Sequence, residues 1–565
     1  MTAATVESPN PRPPPSPPEY CGALENPVLT AAFWGTAAIF ALAYWLTPFP
    51  PCIDYPQHLA LGALIGRLLN PGAVEHATYV IDPFTYNGLF QVLVGILSWI
   101  MPTEIAGKLL LSAIPLLLAS STLALVRVAR RPSWYAFFAL PFSYSYIVGW
   151  GFINYSLGVP IGLLLLAWWM RWRDGERRLL PWLVGGALLL AYTHVLAMLC
   201  FCIHIGVATL VSRWPREVGF AAWLRSLVTG PLPVAPGVLY SLLVFLHHRA
   251  APHIYWEPQK DGTDTAAWNK LYYLSSFAVN NLGNHLDRVL FVAALVLLGM
   301  LFVVAACTLP DAPKAAGAPG AGGSAPPGHQ QTSAPRRHDR EFAWLAGVWF
   351  LLYLVTPRVF MSTWWIFERL PLLWVVMLVT VTPVRSGEVT RWIRGAIAGL
   401  GLVLALVTAY AFASIPDARD ADAIIDDIPE GSRVVALIYS TSASPAIWRE
   451  MWVHQLAYYV VRRRGEIAFD FTRYASLPVR RRDAGEHPPL FPSGREWTPQ
   501  YFDPYAAYAR AFPRVLVRTP DDSPDEDPRA RVFGDDLGRV HVMSRHGRFW
   551  LLDATSWQAE HNPGQ

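Results

Sequence analysis

Long apolar runs separated by short polar clusters occupy most of the chain as far as Phe412. A run of about 20 apolar residues is the length that a helix needs to cross a bilayer, and its repetition predicts a polytopic α-helical membrane protein. We expect about eleven spans, and proline inside several runs leaves their ends open. The predicted spans lie near residues 30–48, 103–126, 133–150, 154–171, 179–194, 195–212, 226–246, 287–309, 342–356, 370–384 and 394–414.

One further apolar segment, Tyr86 to Met101, does not fit this path as a span. If it crossed the membrane, the basic group from Arg127 to Arg131 would fall outside, against the usual placement of basic residues on the cytoplasmic side. We therefore predict a helix that lies flat on the outer surface, inside a first external loop of residues 47–102. Its apolar positions are spaced as in an amphipathic surface helix: Leu89, Phe90, Leu93, Ile96, Leu97 and Ile100.

Basic residues indicate the orientation of the chain, because loops rich in Arg and Lys face the cytoplasm. Five clusters are predicted to be cytoplasmic, which places the N-terminus inside and the C-terminus outside. We expect a multi-pass membrane protein with this orientation. The clusters contain Arg127, Arg130 and Arg131; Arg171, Arg173, Arg177 and Arg178; Arg213, Arg216 and Arg225; Arg336, Arg337 and Arg340; and Arg385, Arg391 and Arg394.

The remaining segments differ in composition. Residues 1–29 are proline-rich and are predicted to be a disordered cytoplasmic tail, and residues 311–340 form a low-complexity cytoplasmic linker. Residues 247–287 form a second external loop. Residues 415–565 are rich in Asp, Arg and Pro and contain strand-like segments at 433–439, 514–518, 539–543 and 549–552, with a helix-like segment at 451–464 between them. They predict an external soluble domain of the α/β or α+β class.

Composition supports a membrane protein and excludes some functions. The 565 residues are 53% hydrophobic and 15% charged, whereas soluble domains carry about 25% charged residues. The formal net charge of +4 is small. The chain contains no phosphate-binding loop, dinucleotide fingerprint or zinc-finger spacing, and nothing in it indicates nucleic-acid binding.

The segment Asp54-Tyr55-Pro56-Gln57-His58 directly follows the first apolar run. Ionisable side chains at a membrane boundary cost energy unless they face water, a partner or a substrate, so they mark candidate functional sites. If the segment after Pro56 is helical, Asp54 and His58 lie one turn apart and face the same cavity. The structural alternatives are that Asp54 caps a helix and that His58 hydrogen-bonds to the backbone.

The order of these features resembles the GT-C class of membrane glycosyltransferases, which take a sugar from a polyprenyl-phosphate carrier and attach it to an acceptor at the outer face. In that class the first span leads into a long external loop that carries a catalytic acid and surface helices, and many members end in an external soluble domain. The chain departs from the class at the next external turn, Gly149 to Tyr155, which contains no second acid.

The resemblance implies roles for the polar residues of the first loop. Transfer from a lipid phosphate needs a base for the acceptor hydroxyl and a positive group for the departing phosphate. Asp54 is the candidate base, and His58 is expected to hold the acid, contact a phosphate oxygen or bind a metal. Asp54, His58 and Asp82 are a possible set of ligands for Mg²⁺ or Mn²⁺. Asp82 precedes Pro83, where a turn residue is the simpler interpretation.

Three single residues beyond the first loop and one residue pair complete the predicted substrate site. Arg358 and Arg369 flank an aromatic segment and are candidates for binding the carrier phosphate, although the segment also suits an interfacial belt of tryptophan. His194 is expected to reach the floor of the cavity, or else to stabilise a helix–helix turn. Trp256 and Glu257 are candidates for contacting a sugar.

Three functions are compatible with these features. The first is transfer of a sugar from a polyprenyl-phosphate donor to a glycan, lipid or protein acceptor. The second is transport of a lipid-linked glycan, although we detect no inverted repeat of the kind common in transporters. The third is a catalytically silent GT-C-like protein of the cell envelope, which the missing second acid keeps open.

Overall fold

Apolar helices form the larger part of the molecule, and a mixed β-sheet forms the C-terminal part. The computed structural model describes residues 26–212, 215–250, 266–307, 338–360, 363–383, 387–442, 445–474, 476–482, 495–534 and 537–561. Most of the predicted tail and linker, and the pair Trp256 and Glu257, lie outside the described residues.

The helices before residue 415 follow the apolar runs closely. In chain order they are α1 (Pro27–Ala43), α2 (Tyr55–Leu68), α3 (Leu89–Leu97), α4 (Thr103–Val128), α5 (Tyr146–Trp150), α6 (Ile153–Arg173), α7 (Leu180–Thr193), α8 (Val195–Ser212), α9 (Pro215–Val218), α10 (Phe220–Thr229), α11 (Ala235–Ala250), α12 (Ala267–Tyr272), α13 (Leu274–Val279), α14 (Leu286–Cys307), α15 (Asp339–Val355), α16 (Pro371–Val381) and α17 (Glu388–Ala413).

Six of the described helical stretches are long and apolar enough to cross a membrane by length and composition: Thr103–Val128, Ile153–Arg173, Val195–Ser212, Phe220–His248, Leu286–Cys307 and Glu388–Ala413. The protein is therefore a polytopic helical membrane protein, as predicted. The expectation of a continuous helix over 133–150 is wrong. That stretch forms a 3₁₀ segment, Ser133–Tyr144, followed by α5. Pro141 lies inside the 3₁₀ segment, where it lacks the N–H that an α-helix would need.

The first loop contains two helices that pack tightly. Helix α3 lies inside the predicted surface segment and leaves Ile96, and Ile100 just beyond its end, exposed. Helix α2 packs against it where Gly62 and Gly95 face the partner helix, and an added Cβ at either glycine would lie within 3.0 Å of the other helix. The sequence predicts α2 only conditionally, because proline at position 56 is acceptable either in a turn or in the first turn of a helix.

The C-terminal region, which we define as residues 415–561, contains most of the strands. Its elements are α18 (Ala418–Asp427), β4 (Arg433–Ile438), α19 (Ala457–Arg463), β5 (Glu466–Ile467), β6 (Val479–Arg481), α20 (Ala507–Arg510), β7 (Arg514–Arg518), α21 (Pro528–Phe533), β8 (His541–His546), β9 (Phe549–Asp553) and α22 (Thr555–His561), and the strands before it are β1 (Tyr79–Ile81), β2 (Val359–Phe360) and β3 (Thr363–Trp364). The main sheet has the order β5-β4-β7-β9-β8. Strands β5 and β7 run parallel to β4, and β9 runs antiparallel to both β7 and β8.

The first loop and the C-terminal region pack against each other. Strand β1 pairs antiparallel with β6, with Tyr79 opposite Arg481. The amide of Gln57 in α2 donates to the carbonyl of Phe469 at 3.1 Å, and its oxygen accepts from the N–H of Phe471 at 3.3 Å. Side chains of both parts form one continuous hydrophobic cluster. This packing brings residues of the C-terminal region next to the start of α2.

Candidate active site

Asp54 lies in the turn that leads into α2, and a neighbouring turn holds its backbone. The N–H groups of Ile53 and Asp54 donate to the carbonyls of Gly149 and Trp150, each at 3.0 Å. Gly151 has φ 85°, and a Cβ there would lie 2.5 Å from the nitrogen of Asp54. Only glycine accepts both the left-handed conformation and this close approach. The Gly149 to Tyr155 turn, which contains no acid, thus contributes backbone acceptors that position Asp54.

The carboxylate of Asp54 contacts a histidine from the C-terminal region. It makes no capping hydrogen bond to α2, so the capping interpretation does not describe its contacts. Its Oδ1 lies 3.3 Å from Nε2 of His454, whose side chain is 4% exposed, and the Asp54 side chain itself is 14% exposed. The His454 ring stacks on Phe469, with ring centroids 5.3 Å apart. The acid is therefore nearly buried and has an imidazole as its partner.

His58 is buried in a neutral hydrogen-bond network. Its Nδ1 lies 2.7 Å from Nε2 of Gln91, and the oxygen of Gln91 accepts from Nδ2 of Asn154 at 2.9 Å. Because the amide nitrogen is a donor, Nδ1 of His58 acts as the acceptor and the proton lies on Nε2. Burial lowers the pKa of His58 from 6.5 to about 4, although the charge of Asp54 opposes this shift. His58 is consequently uncharged at neutral pH.

His194 and Arg369 meet on the far side of this network. His194 follows the end of α7, accepts from the N–H of Leu196 at 3.0 Å through Nδ1, and directs Nε2 toward Nη1 of Arg369 at 3.4 Å. His194 is buried, and its ring centre lies 5.3 Å from that of Tyr155. His194 therefore connects Arg369 to the start of α6.

Arg369 is a buried cation held mainly by uncharged groups. Its Nε and Nη2 donate to the carbonyls of Trp365 and Trp364, both at 3.1 Å, and its guanidinium lies 4.4 Å from the ring centre of Phe152 and 5.1 Å from that of Tyr155. Burial lowers its pKa to about 10, so it stays protonated at neutral pH. Across the described stretches of chain, its guanidinium makes no ion pair with a carboxylate.

Arg358, the second predicted phosphate ligand, is placed differently. Its Nε lies 2.9 Å from Oε1 of Glu368, which is buried, and its guanidinium lies 3.9 Å from the ring centre of Trp365. Burial raises the pKa of Glu368 to about 7 against the opposing effect of Arg358. Trp365 has φ 61°, an unfavourable conformation for a bulky residue, which commonly accompanies functional sites.

Tryptophans connect these groups, and a second buried arginine lies against them. The ring centre of Trp365 lies 4.6 Å from that of Trp150, which in turn lies 5.9 Å from Trp497. Arg449 is 1% exposed, lies 4.1 Å from the ring centre of Tyr146, and donates to Oδ1 of Asn281 at 2.9 Å. The aromatic strip thus runs from the Arg358 side to the His454 side of the site.

A mainly apolar cleft opens next to Arg369. Its walls include Ile114, Leu118, Val159 and Leu372, and Glu368 and Arg369 are among its polar lining residues. A cleft with hydrocarbon walls and a cationic group suits an amphipathic ligand that has an apolar chain and an anionic head.

Asp54, His58 and Asp82 do not come together as a divalent-cation site in the described part of the chain. Asp82 accepts from the N–H of Phe84 at 2.9 Å, is ion-paired with Arg480, and lies 3.5 Å from Nε2 of His247. Within the described ranges, no group of three or more His, Cys, Asp and Glu side chains is arranged to hold a metal ion. Mg²⁺ prefers several oxygen ligands in octahedral geometry, whereas Asp54 has a histidine beside it. No catalytic step is therefore assigned to a metal.

The structure thus brings Asp54, His58, His194 and Arg369 to one end of the helical bundle. The sequence alone does not predict a role for His454, Gln91, Asn154 or Arg449. A polar amide in the middle of the apolar segment of α3 is the one available signal for Gln91, because an uncompensated amide there is costly. No local pattern distinguishes His454 or Arg449 from the other polar residues of the C-terminal region.

Comparison with known proteins supports the fold. No protein-family model and no curated protein sequence matches this chain. A crystal structure of ArnT from Cupriavidus metallidurans in the apo state is similar at 9% identity and a TM-score of 0.52, covering 95% of this chain and 99% of ArnT. ArnT from Cupriavidus metallidurans bound to undecaprenyl phosphate is similar at 11% identity and a TM-score of 0.53, covering 94% and 99%. ArnT is a GT-C glycosyltransferase, so this chain has the GT-C fold that the sequence predicted.

Proposed function

We propose that the protein is a membrane glycosyltransferase that transfers a sugar from a polyprenyl-phosphate donor to a glycan, lipid or protein acceptor at the outer face of the membrane. The observation that carries the proposal is the placement of a nearly buried carboxylate, Asp54, at the same end of the bundle as a buried guanidinium without a carboxylate partner among the described residues, Arg369.

The donor would place its phosphate at Arg369 and its polyprenyl chain along the apolar cleft. Arginine suits phosphate because its planar guanidinium donates in parallel to two oxygens. A buried cation that is held by carbonyl groups and aromatic rings gains more from an arriving anion than one that already has a carboxylate. One similar structure, that of ArnT, contains undecaprenyl phosphate, which agrees with a lipid phosphate as the ligand class.

The reaction requires the transfer of one proton and one sugar. Asp54 would accept the proton from the acceptor hydroxyl while the acceptor oxygen bonds to the anomeric carbon of the sugar. The bond between that carbon and the phosphate oxygen breaks, and the phosphate leaves with the electron pair. Arg369 stabilises the negative charge on the departing phosphate. His58 stays neutral and shapes the pocket, because its Nδ1 is already used by Gln91.

The proposed orientation follows from the basic loops. The N-terminus would be cytoplasmic, about eleven segments would cross a bacterial inner membrane, and the C-terminal region would be an external domain. Residues near Asp54 would then face the outer side, where lipid-linked sugars are used by enzymes of this class.

The test uses purified full-length protein in lipid nanodiscs. It would be incubated with a panel of radiolabelled polyprenyl-phosphate hexoses and pentoses, with a membrane extract as the acceptor source, and transfer of label from the donor would be measured. We expect Asp54→Asn to lower transfer by about 1,000-fold, within the range for loss of a general base, without reducing the amount of protein in the membrane.

Asp174→Asn is the matched control. Asp174 follows the last residue of α6, at the opposite end from the Gly149 to Tyr155 turn that holds Asp54, and its carboxylate contacts His338. It should keep nearly full transfer. Transfer that survives Asp54→Asn would remove Asp54 from the mechanism. Binding of polyprenyl phosphate without transfer from any donor would instead favour a catalytically silent protein of this fold.

A further inference from the structure

His454, in the C-terminal region, contacts the carboxylate of the proposed base. Its Nε2 is 3.3 Å from Oδ1 of Asp54. The main chain of Asp54 is held separately, through the carbonyl of Trp150. The imidazole is therefore the polar side chain that the described structure places against the Asp54 carboxylate.

The position of the His454 ring is fixed on several sides. It lies almost parallel to Phe469, with an interplanar angle of 11°, and the edges of Phe471 and Trp497 approach it with centroid distances of 5.6 and 5.9 Å. The backbones of Phe469 and Phe471 are in turn hydrogen-bonded to the side chain of Gln57. Gln57 lies in the first turn of α2, three residues after Asp54. The start of α2 thus positions both the Asp54 carboxylate and the aromatic rings that surround His454.

We propose that His454 is a positioning residue for Asp54, so that the C-terminal region completes the catalytic site. The inference rests on the proposed function. The imidazole contacts Oδ1 of Asp54 through Nε2 at 3.3 Å and holds the carboxylate in one rotamer. The other carboxylate oxygen is left to accept the proton of the acceptor hydroxyl. Fixing a reacting group in this way affects the rate because a displacement of about 1 Å can cost about 100-fold.

The arrangement also assigns a role to the contacts between the first loop and the C-terminal region. The β1–β6 pairing and the hydrogen bonds of Gln57 hold His454 and the aromatic rings around it next to the start of α2. The docking is required if a side chain from the C-terminal region must reach Asp54.

Two substitutions separate positioning from packing. His454→Phe keeps a flat ring to stack on Phe469 but has no donor, whereas His454→Gln has an amide donor but loses the ring. We expect His454→Phe to lower kcat by about 100-fold with KM for the donor lipid changed less than about twofold. His454→Gln should keep about a third of the wild-type kcat or more. If packing were the role, the order would be reversed and the phenylalanine variant would be the more active.

A double-mutant cycle supplies the second measurement. In the Asp54→Asn background, His454→Phe should cause no further loss, because its effect passes through the carboxylate. Independent losses that multiply would overturn the inference, as would an undiminished kcat in His454→Phe. Binding of undecaprenyl phosphate is measured in parallel and should be unchanged in both single variants. A wild-type protein that turns over no donor of the panel would overturn the proposed function and this inference together.

Discussion

The two ends of helix α6 hold buried charges in opposite ways. The helix has 21 residues and is therefore about 30 Å long. Near its start, at Tyr155, lies the cation Arg369, with carbonyls and aromatic rings as partners. Near its end lies a group that we call the paired cluster, in which charged side chains face opposite charges: Arg131, Arg173, Asp174, His338, Asp339 and Glu341.

The charged groups of the paired cluster already contact one another, so the cluster offers little for a ligand to bind. Nη2 of Arg173 lies 2.9 Å from Oε1 of Glu341, and Nδ1 of His338 lies 2.5 Å from the other oxygen. Nε2 of His338 lies 3.0 Å from Oδ2 of Asp174. Charges that already satisfy one another stabilise a particular packing of helices, whereas a buried cation without an acid is costly unless a ligand supplies the anion. Whether the charges of a buried cluster are matched therefore indicates its function better than its composition does.

The largest expected effect concerns the unmatched cation. Arg369→Gln should weaken the binding of undecaprenyl phosphate by about 100-fold, because a charge-assisted hydrogen bond to the phosphate is lost. Thermal stability without lipid should stay the same or rise, since a costly buried charge is removed. Titration of nanodisc-embedded protein, monitored by tryptophan fluorescence, measures the affinity.

Arg173→Gln is the matched control for that experiment, because it removes the same charge from the paired cluster. It should bind the lipid like the wild type. Undecaprenol, which lacks the phosphate, should not discriminate between the wild type and Arg369→Gln. Equal affinities for undecaprenyl phosphate in the wild type and in Arg369→Gln would contradict the proposed difference between the two ends of α6.

The next effect concerns the paired cluster itself. Glu341→Gln removes the carboxylate that faces both Arg173 and His338, so the free energy of unfolding should fall by about 3 kcal/mol. Thermal unfolding in detergent measures the loss. Glu388→Gln, at an exposed position in the first turn of α17, should change stability by less than about 0.5 kcal/mol. If folded Glu341→Gln protein also bound undecaprenyl phosphate more weakly than the wild type, the cluster would have a role beyond stabilising the fold.

The smallest effect is the pH dependence that Glu368 confers. Burial raises its pKa in the folded protein from 4.5 to about 7, so between these values the folded state binds more protons than the unfolded state. Stability contributed by this group is therefore greatest at low pH and is lost as the pH rises through that window. Glu368→Gln should remove the loss and stabilise the protein at pH 8 relative to pH 5 by about 2 kcal/mol compared with wild type.

Melting temperatures of both proteins at pH 5 and pH 8 test this prediction. Glu388→Gln again provides the control, and its pH dependence should follow that of wild type. Parallel pH profiles for wild type and Glu368→Gln would show that Arg358, 2.9 Å away, keeps the carboxylate ionised throughout.

Several elements could be predicted because their signal is local. Strand β7 occupies the predicted residues 514–518, and helix α8 begins and ends where its apolar run does. The prediction of a continuous helix over 133–150 was wrong because a hydropathy pattern records apolar character and not the type of backbone hydrogen bond. Proline and tertiary packing decide that type.

The candidate site shows the same limit. Asp54 and His58 could be singled out because ionisable residues next to an apolar run are unusual. Their neighbours could not, since Gln91, Asn154 and His454 come from α3, from α6 and from the C-terminal region. Arg358 and Arg369 read alike in the sequence, and only the structure shows that Arg358 faces Glu368 whereas Arg369 faces carbonyls and aromatic rings.

By itself, the sequence determined that the chain crosses the membrane repeatedly, that a loop with an acid follows the first apolar helix, and that a β-rich region ends the chain. Each of these is encoded in neighbouring residues, through hydropathy, periodicity and composition. Only the tertiary structure decided which charges are matched and which histidine reaches Asp54. Those outcomes depend on the docking of segments that are remote in the chain, where a shift of a few ångströms makes or removes a hydrogen bond.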